Sequence, residues 1–170
     1  MIKILTTPRC TLRPFTINDV DVLYRLHSHP VVMQHIPSGT RTREEILEDI
    51  QDDITHQEKH GFSKWAIFSR ESGEFIGRAG WAWLKDEVEA GYKFFPEYWG
   101  KGYATEILKA LLSWGKANIS APLVAFTYPD NIASILVMEK AGMVFLSNDT
   151  YEGKSVVVYG YNKIGNPPEK

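Results

Sequence analysis

The spacing of apolar positions along this chain switches between two residues and about three and a half, and each switch marks a new element. Residues 11–15 alternate and read as an edge strand closed near Pro14. Thr16-Ile-Asn-Asp19 has capping-box spacing and opens a short helix to about His27. Thr42-Arg-Glu-Glu45 opens a second helix, in which Ile46, Leu47, Ile50 and Ile54 share one face to about Lys59 before Gly61 stops it. Its acids, Glu44, Glu45, Glu48, Asp49, Asp52 and Asp53, are expected mostly on the solvent face. Residues 64–70, 75–84 and 88–95 read as a three-strand meander with turns at 71–74 and 85–87. The clearest helical stripe follows, with Ala104, Ile107, Leu108, Leu111, Leu112 and Gly115 on one face. A strand at 123–128, a break at Pro129 and Asp130, and a helix over 131–141 stopped by Gly142 come next. Two last strands, 143–146 and 155–161, flank a turn at 148–154. Antiparallel strands first, then strand–helix–strand–helix–strand, predict a mixed α/β fold with helices on both faces of its sheet.

Composition narrows the class. The chain has 170 residues, 44% hydrophobic and 24% charged, which fits one soluble globular domain over residues 1–162, with a frayed tail at 163–170. A formal net charge of −2 offers no sequence-wide basicity for nucleic acid, so any polyanionic ligand must be held by local donors. The single cysteine, Cys10, excludes an internal disulfide and a multi-cysteine metal site. His27, His29, His35, His56 and His60 fit no familiar metal spacing, so no metal is expected. No apolar run is long enough to span a bilayer, and the first eight residues are too short and polar for a signal peptide. A cytoplasmic protein with no membrane partner is the expectation.

The candidate chemistry lies between the meander and the long helix. The strand-like run ends at Pro96, a Gly100-Lys101-Gly102 turn follows, and the helix starts at once. A helix N-terminus offers unpaired N–H donors and partial positive charge, and glycines let backbone approach an anion closely. This predicts a phosphate-bearing ligand. The Walker pattern is absent. The dinucleotide fingerprint fails because Thr105 takes its third glycine position and residues 96–99 separate strand from glycines. On spacing alone, a plain strand-to-helix turn remains open.

The residue types in the turn resemble the acetyl-CoA motif of the GNAT superfamily of N-acetyltransferases, Q/R-x-x-G-x-G/A. The match is Trp99-Gly-Lys-Gly102-Tyr-Ala104, with Trp where Gln or Arg is usual. The stretch from Tyr98 to Glu106 is similar to the branch that includes the ribosomal-protein N-terminal acetyltransferases (RimJ/RimL-like). Asn131-Ile-Ala-Ser134 through Glu139-Lys140-Ala-Gly142 resembles that branch's N-x-x-S-x-x-x-x-E-K-x-G-F, and Thr7-Pro-Arg9-Cys-Thr-Leu-Arg13 its opening strand. The resemblance covers nearly the whole chain. It implies a sheet of about seven mostly antiparallel strands, splayed at a bulge beside the third meander strand.

The same resemblance implies roles. Acetyl-CoA would be the co-substrate, its pyrophosphate on the backbone N–H groups of Gly100, Lys101, Gly102, Tyr103, Ala104 and Thr105, with Trp99 at the edge. Lys93, Phe94 and Phe95 would present strand backbone, Lys93 N–H to the thioester oxygen and Phe95 to the pantetheine amides. Gly91 fits either a bulge or plain packing. Glu89 is the candidate base, ahead of Glu87 at the turn, and otherwise a solvent-facing strand residue. Met138 stands where many GNAT enzymes carry a tyrosine acid and cannot donate a proton. Ser134, one turn earlier, is the candidate substitute, or a capping serine bonded to Asn131, and both residues are expected among those that bind the cofactor. Trp81 and Trp83 either line an acceptor pocket or belong to the core. The loop over residues 30–40 borders the acceptor site by resemblance. The expected activity is acetyl transfer in a ternary complex, without a covalent intermediate on Cys10, from acetyl-CoA to a primary amine, first a protein N-terminal α-amine. A small-molecule amine acceptor or a non-catalytic CoA-binding module are the alternatives, and the protein is expected as a monomer or homodimer.

Overall fold

A computed structural model describes residues 3–161; the expected tail at 163–170 lies outside the described residues. The strands are β1 (Leu5–Thr6), β2 (Cys10–Pro14), β3 (Lys64–Ser69), β4 (Phe75–Leu84), β5 (Glu87–Phe94), β6 (Leu123–Thr127), β7 (Val144–Tyr151) and β8 (Lys154–Tyr161). The helices are α1 (Val20–His27), α2 (Arg43–His60), α3 (Tyr103–Asn118) and α4 (Ile132–Lys140). The eight strands are ordered β1-β2-β3-β4-β5-β6-β8-β7. The β1–β2, β2–β3, β3–β4, β6–β8 and β7–β8 ladders are antiparallel, whereas β5–β6 is parallel and pairs Val88 with Leu123 and Glu89 with Val124. The expectation of about seven strands falls one short because β1 is only two residues long and carries no readable alternation.

The chain divides into two compact units. The first takes in the chain through Gly80 together with Tyr92–Tyr103; the second takes Trp81–Gly91 and the chain from Ala104 onward. In the first unit, Phe15, Val20, Leu23, Leu26, Ile46, Ile50, Ala66 and Phe75 form one buried cluster. Each large aliphatic or aromatic side chain so buried stabilises the fold by about 1.5–3 kcal/mol. Both capping signals are used. Thr16 N–H donates to the Asp19 carboxylate at 2.8 Å. Thr42 Oγ1 accepts the Glu45 N–H at 3.2 Å while the Glu45 carboxylate accepts the Thr42 N–H at 3.1 Å. Gly61 ends α2 at φ 77°.

One reading of the sequence meets an exception and another needs correction. The acids of α2 are not uniformly solvent-facing. Asp53 is buried and bonds Arg78 at 2.6 Å, and Asp49 bonds Arg41 at 2.8 Å. Asp53 lies seven residues after Ile46 and three after Ile50, so it sits on the apolar stripe, where a carboxylate needs a cationic partner. The last hairpin is also longer than read. β7 continues to Tyr151 and only Glu152 and Gly153 turn, at φ 49° and 77°. The outer half of β7 is exposed and polar on both faces, so hydropathy gives no strand signal there.

Within the second unit, α3 buries Ile107, Leu108, Leu111, Leu112 and Gly115, the stripe read from the sequence. Trp81 is fully buried, so it belongs to the core, whereas Trp83 is exposed. Cys10, in the first unit, has no accessible surface, which leaves no route to a covalent acyl intermediate on its sulfur.

Candidate active site

The glycine turn is built within the first unit. Phe94, the last residue of β5, is buried, and its carbonyl accepts the Trp99 Nε1–H at 2.9 Å. A single turn of 3-10 helix, Pro96–Tyr98, bridges strand and turn, with Tyr98 N–H on the Phe95 carbonyl at 3.0 Å and Trp99 N–H on Pro96 at 3.0 Å. The indole at position 99 therefore braces the turn from outside, a structural use for the residue that departs from the motif. Gly100 and Gly102 both take left-handed backbone, φ 68° and 82°, which a side chain would strain. The Arg9 guanidinium donates to the Lys101 carbonyl at 2.9 Å and stacks on the Tyr103 ring, 3.8 Å from its centroid. Tyr103 also packs edge-on against Tyr98 and tilted against Phe94.

The β5 backbone beside the turn is fixed closely. A Cβ at Gly77 of β4 would collide with the Lys93 carbonyl, so glycine is what lets the two chains come this near. Phe95 N–H donates to the Ile76 carbonyl at 3.2 Å. That bond engages the Phe95 N–H within the protein, and its carbonyl, which accepts from Tyr98, keeps a further lone pair for the expected pantetheine contact.

A cavity of about 280 Å³ opens in the same unit, lined by His27, Met33, Ile36, Ser38, Arg41, Asp49, Asp52, Asp53, Arg78 and Lys93. Met33, Ile36 and Ser38 come from the 30–40 loop. The three carboxylates face three cations, and two of each are already joined as Asp53–Arg78 and Asp49–Arg41. Asp52 is exposed. His27 is buried, and neither ring nitrogen has a hydrogen-bond partner among the described residues. Burial first, then the charges of Lys93, Arg78 and Arg41, pushes its pKa down to about 2. The imidazole is thus neutral at any physiological pH. Arg41, Asp49, Asp53 and Arg78 were not read as site residues. The one available signal was the position of Asp53 on the stripe of Ile46 and Ile50.

The remaining candidates lie in the second unit. Glu89 is half-buried on β5 in register with Val124. Burial, then the charges of Glu152 and Glu89, pushes the Tyr151 phenol up, which places a neutral hydroxyl in the field of Glu89. Ala104 and Thr105 are half-buried in the first turn of α3. Asn131 caps α4, its Oδ1 accepting the Ser134 N–H at 3.3 Å, so the capping reading of this pair holds at the backbone. Met138 is buried in the core and brings no proton donor. Among the described residues, no cluster of His, Cys, Asp and Glu could hold a metal ion and no helix is long and apolar enough to cross a membrane.

A strand thus leads through two left-handed glycines into a helix N-terminus, with the turn braced by an arginine and a tryptophan, on an α/β sheet. The chain belongs to the GNAT acetyltransferase family, whose acetyltransferase (GNAT) domain matches residues 9–144. It is an acetyl-transferring enzyme by that membership. Two Bacillus subtilis proteins, YkkB and the uncharacterized N-acetyltransferase YoaA, are each 31% identical to it, over 91% and 84% of this chain and 93% and 83% of theirs. Among solved structures, a RimL ribosomal L7/L12 alpha-N-protein acetyltransferase in complex with coenzyme A superposes with a TM-score of 0.80 at 19% identity, covering 94% of this chain and 97% of that one. GNAT acetyltransferases use acetyl-CoA, and the positive-φ glycines with no Cβ at the turn fit such a phosphate-bearing donor.

Proposed function

We propose that this enzyme acetylates protein N-terminal α-amines by direct attack in a ternary complex. The single observation that carries the choice of acceptor is the charge balance of the first-unit cavity. Its three acids are opposed by Arg41, Arg78 and Lys93, so a polycation would meet repulsion as well as attraction. A peptide terminus brings one ammonium and several carbonyl oxygens, which suits a mixed set of carboxylates and cationic donors. Asp52, exposed and in no ion pair among the described residues, is assigned to the ammonium. The RimL neighbour, named for an α-N-protein acetylation, agrees with this reading.

An α-amine, with a pKa near 7.7–8.0, is partly neutral at physiological pH, whereas a lysine near 10.4 is not. The neutral nitrogen attacks the acetyl carbonyl carbon. The C–S bond breaks with its electron pair left on sulfur, and the nitrogen gives up a proton. Glu89, directly or through water, is assigned that proton; Ser134 is assigned to the departing sulfur. The β5 backbone at Lys93 is assigned to the carbonyl oxygen, where one donor contributes about 2.7–4 kcal/mol. The residues of the turn, 100–105, are assigned to the pyrophosphate, at about 1.5–3 kcal/mol per charged hydrogen bond.

A mixture of free-N-terminus peptides, spermidine, an aminoglycoside and free amino acids at equal concentration tests the acceptor. The peptides are expected to carry the acetyl groups found by mass spectrometry. Dominant acetylation of spermidine or the aminoglycoside overturns the reading in favour of a small-molecule enzyme. Acetyl-CoA binding with no transfer to any amine makes the chain a CoA-binding module.

A further inference from the structure

The glycine turn is held by a side chain from near the other end of the first unit. Arg9 lies just before β2, and its guanidinium reaches three consecutive turn residues. Nη1 donates to the Lys101 carbonyl at 2.9 Å. Nη2 lies 3.5 Å from where a Cβ on Gly102 would stand. The guanidinium plane covers Tyr103 at 3.8 Å. The backbone that carries Arg9 is itself tied down. Arg70 N–H donates to the Arg9 carbonyl at 2.9 Å, and Arg70 Nη1 donates to Thr7 at 3.0 Å and Pro8 at 3.2 Å.

We propose that Arg9 is a donor-binding residue of this enzyme: its guanidinium sets the conformation of residues 100–103 and supplies the fixed positive charge for the pyrophosphate of acetyl-CoA. The inference rests on the reading of the glycine turn as the acetyl-CoA site. Three observations carry it. The chain as a whole is acidic by two charges, so the attraction for a polyanion must be local. The motif position that could have carried a cation is Trp99, whose indole N–H is spent on the Phe94 carbonyl. Lys101 is exposed, whereas Arg9 is half-buried and anchored at both its backbone and its head. A guanidinium is planar, permanently charged and carries five donors, so one group can brace a carbonyl, stack on a ring and face an anion; an ammonium cannot do all three.

The test compares two acetyl donors. Acetyl-CoA carries the pyrophosphate; S-acetylpantetheine lacks it. Calorimetry on the wild type and Arg9→Ala is expected to show acetyl-CoA affinity falling about tenfold or more. In kinetics, KM for acetyl-CoA rises by the same factor, while kcat and KM for the peptide stay within about threefold. The rate with S-acetylpantetheine is expected to fall far less than the rate with acetyl-CoA. Arg9→Lys, which keeps the charge and spares the fold if the alanine variant is unstable, is expected to recover acetyl-CoA binding only in part. Equal acetyl-CoA affinity in wild type and variants overturns the proposal. So does an equal loss with both donors, which would mean a purely structural arginine. If the wild type itself fails to bind acetyl-CoA, the reading of the turn is wrong and this inference falls with it.

Discussion

The glycine turn and the charged cavity lie in the same unit of the chain but are built from opposite materials. The turn is contiguous, residues 94–103, and its shape depends on backbone: two left-handed glycines, a 3-10 turn and carbonyls taken by Trp99 and Arg9. The cavity is assembled from α1, α2, β4, β5 and the 30–40 loop, and its character depends on side-chain charges that cancel in pairs. A site made of backbone needs the same few residue types wherever it occurs. A site made of paired charges can be retuned one residue at a time. Under the proposed function, the turn is the constant donor end of the reaction and the cavity its adjustable acceptor end.

That contrast can be broken from either side. The largest effect is expected where the cavity's buried pair is cut. Asp53→Ala strands the Arg78 guanidinium and should lower stability by about 3 kcal/mol in urea unfolding. Acetyl-CoA affinity of the folded fraction should not change, and a parallel loss of affinity would join the two regions energetically. Next, Gly102→Val puts a branched side chain at φ 82° and should lower acetyl-CoA affinity about a hundredfold by calorimetry. Its peptide affinity should stay as in the wild type.

His27 gives a pH signature to the cavity. Its folded pKa, depressed to about 2, lies below its unfolded value near 6.5, so below pH 6.5 the unfolded chain binds a proton that the folded chain refuses. The stability this provides is complete above pH 6.5 and is lost as pH falls toward 2. From pH 6.5 to 5 the loss from this group is about 2 kcal/mol. His27→Gln should flatten that part of the stability profile. An unaltered profile would mean that His27 is not held neutral. The smallest effect is at an exposed position. Asp52→Asn should leave the melting temperature unchanged and raise KM for a peptide about threefold, with acetyl-CoA unaffected.

The same contrast explains what was legible in the sequence. The turn could be read because glycine spacing, the strand before it and the stripe of Ile107, Leu108, Leu111 and Leu112 after it all follow from backbone geometry. Both capping boxes were legible for the same reason. The cavity was not, because Asp53 and Arg78 are 25 residues apart and a hydropathy pattern records each only as polar. Arg9 was hidden equally well, 92 residues from the carbonyl it holds. The outer half of β7 escaped because a solvated hairpin needs no apolar face. Met138 is legible as a missing proton donor, and Ser134 as part of the motif from Asn131 to Gly142, but the motif does not say whether Ser134 takes over that role.

The central claim is that acetyl passes from acetyl-CoA to an α-amine, and one measurement addresses it directly. A peptide containing an internal lysine is incubated with enzyme and acetyl-CoA, once with its N-terminus free and once with it blocked, and fragment masses locate the acetyl group. The account predicts one acetyl on the α-nitrogen of the free peptide, matched by released CoA, and none on the blocked peptide. Acetylation of the lysine in both, or release of CoA without acetylated peptide, would contradict it.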